Sequence, residues 1–411
     1  MRPLAGIRII DLTVAIAGPV ATSLLAGLGA EVIRVEPPFT RPLHVDIGPA
    51  VPGAPDRPYN RIVSYNDLHH GKRAITLDLS KDAGREALLR LVAISDAVVE
   101  NMAPRVLPGL GLPFAELRTA RDDIVLVSMP AFGATGPLRD RVSYGPGIDA
   151  MSGLAHLTGY ADRGPMQPAN YYCDYNAGAL AALATLAALQ HRTRTGGGQH
   201  VELAMLEGEL QVVGEALLDY AMNGRVQRRT GNEHPSMSPH GVYPCAGDDR
   251  WIAIACEDDA QWQSLCGTIG RPELARDARF ADVVSRVHNR TSADETVAAW
   301  THLRSPFDAE RALQAVGIPA GAVRLISELL TGEQFASRNF VQRVPHPEAA
   351  ANAFLRPAFT LSRMQERGDR PAPLYGQDID YVLQDLLTMS ARDVQSLLDA
   401  GIIAREPPLS R

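Results

Sequence analysis

In YYCDYNAG, residues 171 to 178, one carboxylate stands between aromatic and small residues, and ALAALATLAALQHR, a helical run almost free of charge, follows it. Two chemistries fit Asp174. As a helix cap it would accept a backbone N–H from the turn beginning Tyr175-Asn176-Ala177. As a nucleophile it would attack an activated acyl group, and an ionised carboxylate needs no general base to do so. The roles are compatible, because the positive end of a helix dipole favours the charged form and keeps its pKa low. Ala177, Gly178 and Ala179 leave room for a bulky group beside it.

Other stretches carry weaker chemistry. AIAGPVATSLL sets Gly18-Pro19 where a strand tip turns into a helix, with Pro19 suited to the first helical position. Backbone N–H groups at such a tip suit a phosphate or a carbonyl oxygen, against the reading of an ordinary turn. HHGKRAITLDL sets Lys72 and Arg73 just before a strand, and NMAPR sets Arg105 just after one. Together these cations are candidate clamps on a nucleotide phosphate, against the reading of solvated surface charges. Of 40 basic residues only Lys72 and Lys81 are lysines, which singles them out slightly. The Gly27-x-Gly29 pair is not a dinucleotide fingerprint: Val32 fills its last position, and it lies between a helix and a strand rather than the reverse. Gly29 reads as a helix C-cap. There is no P-loop, G-x-S-x-G or H-E-x-x-H, and the histidines are scattered, so no metal site is expected.

Strands must hold these residues in place. GIRIIDL, EVIRVE, AITLDL, DAVVEN and DIVLVSMP read as short buried strands, separated by helical runs such as GPVATSLLAGLGA and SKDAGREALLRLVAIS, the latter capped by Ser80 or Asp82. Such alternation means βαβ units and a mostly parallel sheet, whose sites lie past the carboxyl ends of the strands. The helix after Asp174 ends in TRTGGGQ, and VELAMLEGELQVVGEALLDYAM reads as a second long helix. RRTGNEHPSMSPHG is the preferred boundary before a smaller unit with the strand WIAIAC. After about residue 330 the chain reads as irregular and Pro-rich, closing with the amphipathic SARDVQSLLDAGII.

With 411 residues, two domains are the expectation. A net charge of −7 offers no broad basic face for nucleic acid. Four cysteines without C-x-x-C spacing suggest reduced thiols, no stretch reaches the roughly 18 apolar residues of a membrane span, and MRPLAGIRIIDL lacks the apolar core of a signal peptide. The expectation is a soluble cytoplasmic protein with no nucleic-acid or membrane partner.

DLT-x(4)-AGP, LLAGLGAEVIRVEPP, NDLHHGKRAITLDL, VVENMAP, FGATGP, LTG-x(4)-GP, CDYNAG and RTRTGGGQHVELAMLE follow one another in this chain. In that order they resemble the class III CoA-transferase (CaiB/BaiF) family, which includes formyl-CoA transferases, carnitine CoA-transferases and 2-methylacyl-CoA racemases. GNEHPSMSPHGVYP, DDAQW and APLYGQ extend the likeness over nearly the whole chain. The resemblance implies an α/β fold: a large Rossmann-like domain with a mostly parallel sheet, a smaller α/β domain, two long linkers, and two chains interlocked as a homodimer. The corresponding boundaries are 1–195 for the large domain, 196–228 for a helical linker, 229–328 for the small domain and 329–411 for a return linker completing the large domain.

By the same resemblance Asp174 is the nucleophile of a CoA-transferase, moving CoA from an acyl-CoA to a carboxylic acid. The scheme passes through an aspartyl anhydride and an aspartyl-CoA thioester, with no tightly bound cofactor; CoA enters as part of the substrates. Matching motifs carry CoA contacts onto Ala15, Ile16, Ala17, Lys72, Arg73, Asn101 and Met102, with Arg105 standing in for an arginine the NMAPR run lacks. Tyr144, His240 and Gly241 are the candidate substrate contacts, the last two in the segment NEHPSMSPHG that replaces a glycine-rich lid. Tyr171 and Tyr172 join Tyr144 in suggesting an acid larger than formate, and Ile16, where formyl-CoA transferases carry glutamine, points the same way. The racemase alternative needs a second acid–base group. By the resemblance racemases pair the aspartate matching Asp174 with a histidine in a G-H-D-x-N-Y run and a small-domain glutamate; the corresponding run SYGPGIDAMSG has Asp149 but no histidine, and Glu257 or Asp258 falls near the glutamate. A non-catalytic acyl-CoA binder is the remaining alternative.

Overall fold

Along each central strand one side chain in two enters one core and its neighbour enters the other, as the pleat requires. Ile10, Ile33, Val35, Ile75, Val98 and Leu126 fill one layer, and Ile9, Val32, Ala97, Val99, Val125 and Val127 the opposite one. The computed structural model describes residues 2–39, 57–169, 171–349, 352–364 and 370–407. Two compact units emerge: Met1–Ala155 with Gln167–Val226 and Ser337–Arg411, and His156–Met166 with Gln227–Ala336.

The first unit runs β1 (Arg8–Asp11), α1 (Ala17–Gly27), β2 (Glu31–Glu36), α2 (Val63–His69), β3 (Arg73–Thr76), α3 (Asp82–Ala93), β4 (Ala97–Glu100), α4 (Val106–Gly109), α5 (Phe114–Ala120) and β5 (Val125–Ser128). There follow α6 (Gly145–Met151), α7 (Leu154–Leu157), α8 (Tyr172–Thr195), β6 (His200–Glu202), α9 (Met205–Leu210) and α10 (Gly214–Asn223). Its sheet has the order β3-β2-β1-β4-β5-β6, every neighbouring pair parallel. This is the Rossmann order, with the crevice where β1 meets β4 as its switch point. Both faces are covered, which is why the strands read as unbroken apolar runs.

Several expectations are corrected. Val201 and Glu202 of the supposed second long helix belong to the edge strand β6, paired with β5, and the helix after it breaks between Leu210 and Gly214. The start of α3 has Lys81 as its unbonded cap, because Ser80 turns back to Asp78. Pro19 lies inside the first turn of α1 and not at its first position. The left-handed Gly196 does end α8, with φ 77°.

The second unit holds β7 (His240–Pro244) and β8 (Trp251–Ala255), then α11 (Asp259–Thr268), α12 (Val283–His288), α13 (Arg290–Thr301), α14 (Pro306–Gln314), β9 (Ala320–Ala322), α15 (Ile326–Thr331) and α16 (Glu333–Ser337). Its antiparallel sheet, β7-β8-β9, covers a core built on Trp262, Phe280 and Trp300.

The Pro-rich stretch is not wholly irregular: β10 (Val341–Val344) and β11 (Asn352–Leu355) form an antiparallel pair. A π-helical turn at Tyr381–Leu386 and α17 (Ala391–Asp399) then return to the first unit, where Ile379, Val382, Leu383, Ile402 and Ile403 join the core with α3. Among the described residues no helix is long and apolar enough to cross a membrane.

Candidate active site

Small residues on α8 decide how close it comes to α1. A Cβ at Gly178 would lie 2.6 Å from Val20 Cγ1 and 2.8 Å from the Ala17 carbonyl oxygen. Only glycine fits, and the contact brings the start of α8 against the start of α1.

Asp174 is 6% exposed and sits in the first turn of α8. It is not the cap. That position belongs to Tyr171, a left-handed residue with φ 55°, whose carbonyl oxygen accepts the Asp174 N–H at 3.0 Å. The Asp174 carboxylate instead accepts the backbone N–H of Ala17, the first residue of α1. Ala15, with φ 57°, makes the turn that aims this N–H. Two non-glycine residues in the left-handed region therefore flank one carboxylate, a conformation that costs about 1–3 kcal/mol per residue.

Asn101, read as a CoA contact, braces that turn from past the end of β4. Its Nδ2 donates to the Val14 carbonyl at 2.8 Å and its Oδ1 accepts the Val14 N–H at 2.7 Å. Gly18 permits the approach, since a Cβ there would meet Thr13 at 2.4 Å and Asn101 at 3.0 Å.

A third helix start, α6, faces the carboxylate: a Cβ at Gly145 would lie 1.9 Å from Asp174 Oδ2. Tyr144 precedes it and is 59% exposed. Behind Asp174 lie Asp149 on α6, Cys173 on α8 and Glu209 on α9; one carboxylate oxygen of each acid and the Cys173 Sγ fall within 4.8 Å of one another. Asp149 is 1% exposed and Glu209 0%.

Burial first, and then the Asp149 charge, push Asp174 up to about 6, while the Ala17 N–H pulls the other way. The expectation that the helix dipole would keep it low is thereby corrected, because desolvation and a like charge win. Near neutral pH the group remains mostly ionised and is more basic than an ordinary carboxylate. Burial also raises Asp149, Glu209 and the Cys173 thiol.

Lys72 and Arg73 are not free phosphate clamps. Lys72 is 0% exposed and donates to Asp11 Oδ2 at 3.0 Å, Thr22 Oγ1 at 2.8 Å and the Pro19 carbonyl at 3.1 Å. Burial lowers it to about 8 against the pull of Asp11. It ties β1 to α1 from beneath. Arg73 is half-buried, bonded to Glu31 and Asp378 at 3.0 Å each and stacked 3.7 Å from the Tyr381 ring. Arg105 is exposed and reaches the Asp140 carbonyl at 3.1 Å. Met102 lines an apolar cavity of about 130 Å³ past β4 and β5, with Phe114, Ser128 and His200.

His240 and Gly241 belong to the second unit, at the start of β7. There they line a cavity of about 590 Å³ with Tyr160, Glu233 and Asp294, and His240 Nδ1 lies 2.7 Å from the Asn232 carbonyl. Asp258 caps α11 through the Gln261 N–H at 2.8 Å, and exposed Glu257 directs its own N–H to the Gln261 side chain.

The structure thus gathers Ala15, Ile16, Ala17, Asn101, Tyr144 and Asp174 around one strand-end crevice. Sequence reasoning missed Gly145, Cys173 and Glu209 as its neighbours. An acid inside the apolar run AMLEGELQVV was the available signal for Glu209.

A family model described as CoA-transferase family III matches residues 4–379. The chain belongs to this family. As a family III member it is 32% identical over 402 residues to succinyl-CoA–D-citramalate CoA-transferase of Chloroflexus aurantiacus, covering 98% of each chain. It is 36% identical over 418 residues to a probable CoA-transferase of Mycobacterium tuberculosis, covering 98% of this chain but only about half, 50%, of that longer relative. The crystal structure of a CaiB/BaiF family protein from Brucella suis superposes with a TM-score of 0.86 at 29% identity, over 93% of this chain and 99% of that one.

Proposed function

We propose that this family III member transfers CoA from an acyl-CoA thioester to a carboxylic acid through covalent intermediates on Asp174. One observation carries the reading: a buried, mostly ionised carboxylate set against the N–H of Ala17 at the strand-end crevice of a Rossmann-type sheet. Asp174 attacks the thioester carbonyl, the C–S bond breaks, and CoA leaves as the thiolate. The thiolate then attacks the Asp174 Cγ of the mixed anhydride; a C–S bond forms and the donor acid departs with the bridging oxygen. The acceptor carboxylate runs both steps in reverse. Thioester is exchanged for thioester, so the overall free-energy change stays near zero, and the protein's task is to orient the groups, stabilise the oxyanion and exclude water.

The named activity of the Chloroflexus relative makes succinyl-CoA the first donor to test. Ala15, Ile16 and Ala17 border the reacting carboxylate, and of the three candidate cations Lys72, Arg73 and Arg105 the exposed Arg105 is the one proposed to meet a CoA phosphate. His240 and Gly241 remain proposed substrate contacts. Asp149 counts against a racemase, since its carboxylate is buried against Cys173 and Glu209. Four buried free cysteines support a reducing, cytoplasmic setting. Exposed Leu217, Leu218, Tyr220 and Met222 on α10 support self-association as a homodimer, which sedimentation would check.

The experiment is intact-protein mass after mixing with a panel of acyl-CoAs, succinyl-CoA included. A CoA-sized adduct on the wild type and none on Asp174→Ala is the expected result. No adduct with any donor would sink the reading.

A further inference from the structure

Glu100 closes β4 and Ser128 closes β5, and the two stand side by side in the parallel register. Two residues back on each strand, Val98 and Leu126 enter the core layer that holds α3 and α5. The pleat therefore turns Glu100 and Ser128 to that face, away from α1 and α8. Glu100 is buried and forms no ion pair among the described residues. Its carboxylate instead collects donors: the Ser128 hydroxyl, and the Met102 N–H at 2.7 Å. Ser128 Oγ lies in turn 2.9 Å from His200 Nε2 on β6, whose ring N–H can donate to it. Three neighbouring strands are thereby tied to one carboxylate.

We propose that Glu100 is a positioning residue for the reaction at Asp174, acting through the Met102 amide, Asn101 and the Val14 turn on the N–H of Ala17. The inference rests on the covalent scheme proposed above. Each link is a contact of this structure. Glu100 Oε2 fixes the Met102 N–H, and with it the peptide that joins Asn101 to Met102. Asn101 grips Val14 with both ends of its amide, at 2.7 and 2.8 Å. Ala15 then takes its left-handed turn, φ 57°, and Ala17 presents its N–H to the Asp174 carboxylate. A bond from an amide to a carboxylate is stronger than one to a neutral oxygen, so the first link is a firm one. The route crosses the sheet, from the face of α3 and α5 to that of α1 and α8. Glu100 acts through other residues and is not itself a reacting group.

The test is single-turnover adduct formation with succinyl-CoA, followed by intact mass, in Glu100→Ala, Asn101→Ala and the double variant. Saturating donor separates the rate from any loss of CoA binding. Glu100→Ala should be about 10- to 100-fold slower, because the Ala17 N–H is misplaced from Asp174. Since Glu100 acts through Asn101, the double variant should be no more than about 3-fold slower than Asn101→Ala alone; losses that multiply would overturn the proposal. Glu100→Gln keeps an oxygen for Met102 and an amide for Ser128, so its rate should stay within about 3-fold of wild type. A folded Glu100→Gln as slow as Glu100→Ala would show that charge and not position matters, and would equally overturn it. Should Glu100→Ala not fold, Glu100→Asp, one methylene too short to span Met102 and Ser128 together, replaces it. Amide exchange needs no acyl-CoA: Glu100→Ala should speed exchange across residues 13–17 as well as 101–102, and unchanged exchange across 13–17 would overturn the proposal. A wild type that forms no adduct with succinyl-CoA or the rest of the panel would sink the covalent reading and leave the exchange result standing, so the two failures are distinguishable.

Discussion

Gly145 vacates the space that the Asp174 carboxylate fills: a Cβ there would stand 1.9 Å from Oδ2 and 3.0 Å from Cγ. Asp174 can swing away from an added methyl, so Gly145→Ala should fold. It should still lose adduct formation by about 100-fold, the usual consequence of misplacing a reacting group by an ångström. Circular dichroism beside adduct mass checks both halves; an active Gly145→Ala would mean that the carboxylate reacts from another rotamer.

Gly178→Ala should damage packing and chemistry together. The new Cβ meets Val20 and the Ala17 carbonyl, and backbone cannot rotate aside. A loss of about 1–3 kcal/mol in unfolding free energy is expected, with a slower adduct rate because α8 moves from Ala17. Val20→Ala in the same chain should recover part of the stability and little of the rate. Urea unfolding and single-turnover mass spectrometry are the measurements.

Asp174 should cost stability at working pH. Its folded pKa of about 6 lies above the model value of 3.8, so the folded state holds the proton more tightly. The linked stability is fully present below about 4 and is lost as pH rises through 6. Asp174→Asn should therefore be more stable than wild type at pH 8, by about 1–3 kcal/mol, with the gain shrinking towards pH 4. A melting-temperature series over that range tests the sign, and an Asp174→Asn protein less stable at pH 8 would contradict it.

Lys72 and Arg105 should separate cleanly. Lys72→Met strands the Asp11 carboxylate among Thr13, Thr22 and Arg34, and should cost about 3–5 kcal/mol. Arg105→Ala should leave the melting temperature nearly unchanged and weaken CoA binding more at low salt than at high salt. Calorimetry at two ionic strengths decides; a Lys72→Met protein of normal stability would restore Lys72 as a candidate ligand.

The parallel sheet was readable because its strands are short apolar runs bounded by turn residues, and β1 to β5 fall where the alternation put them. The strand β6 was not: three residues at an edge, HVE, have no apolar period to announce them. The pair β10–β11 hid for a related reason, since proline and alanine mask a hairpin that long-range pairing defines. Asp174 stood out through contrast with its apolar surroundings. Lys72 did not reveal its burial, because its partners Asp11, Pro19 and Thr22 lie 61, 53 and 50 positions away in other elements. Local sequence shows a charge but not what neutralises it. The same holds for Asp149 and Glu209, which meet only once α6, α8 and α9 have packed.

The return of the chain to its first unit has a consequence for synthesis. Asp378 accepts from Arg73 and from the Ala74 N–H, the Thr76 hydroxyl bonds Ala404, and Ile379, Val382 and Ile402 wall the core beside α3. A nascent chain that has already made β1 to β5 must wait for this segment through the whole of the second unit. Until it arrives, the edge strand β3 and the apolar face of α3 lack one side of their packing. Ribosome-bound intermediates should consequently be sticky, and the half-made first unit is the natural client of a chaperone that shields apolar surface.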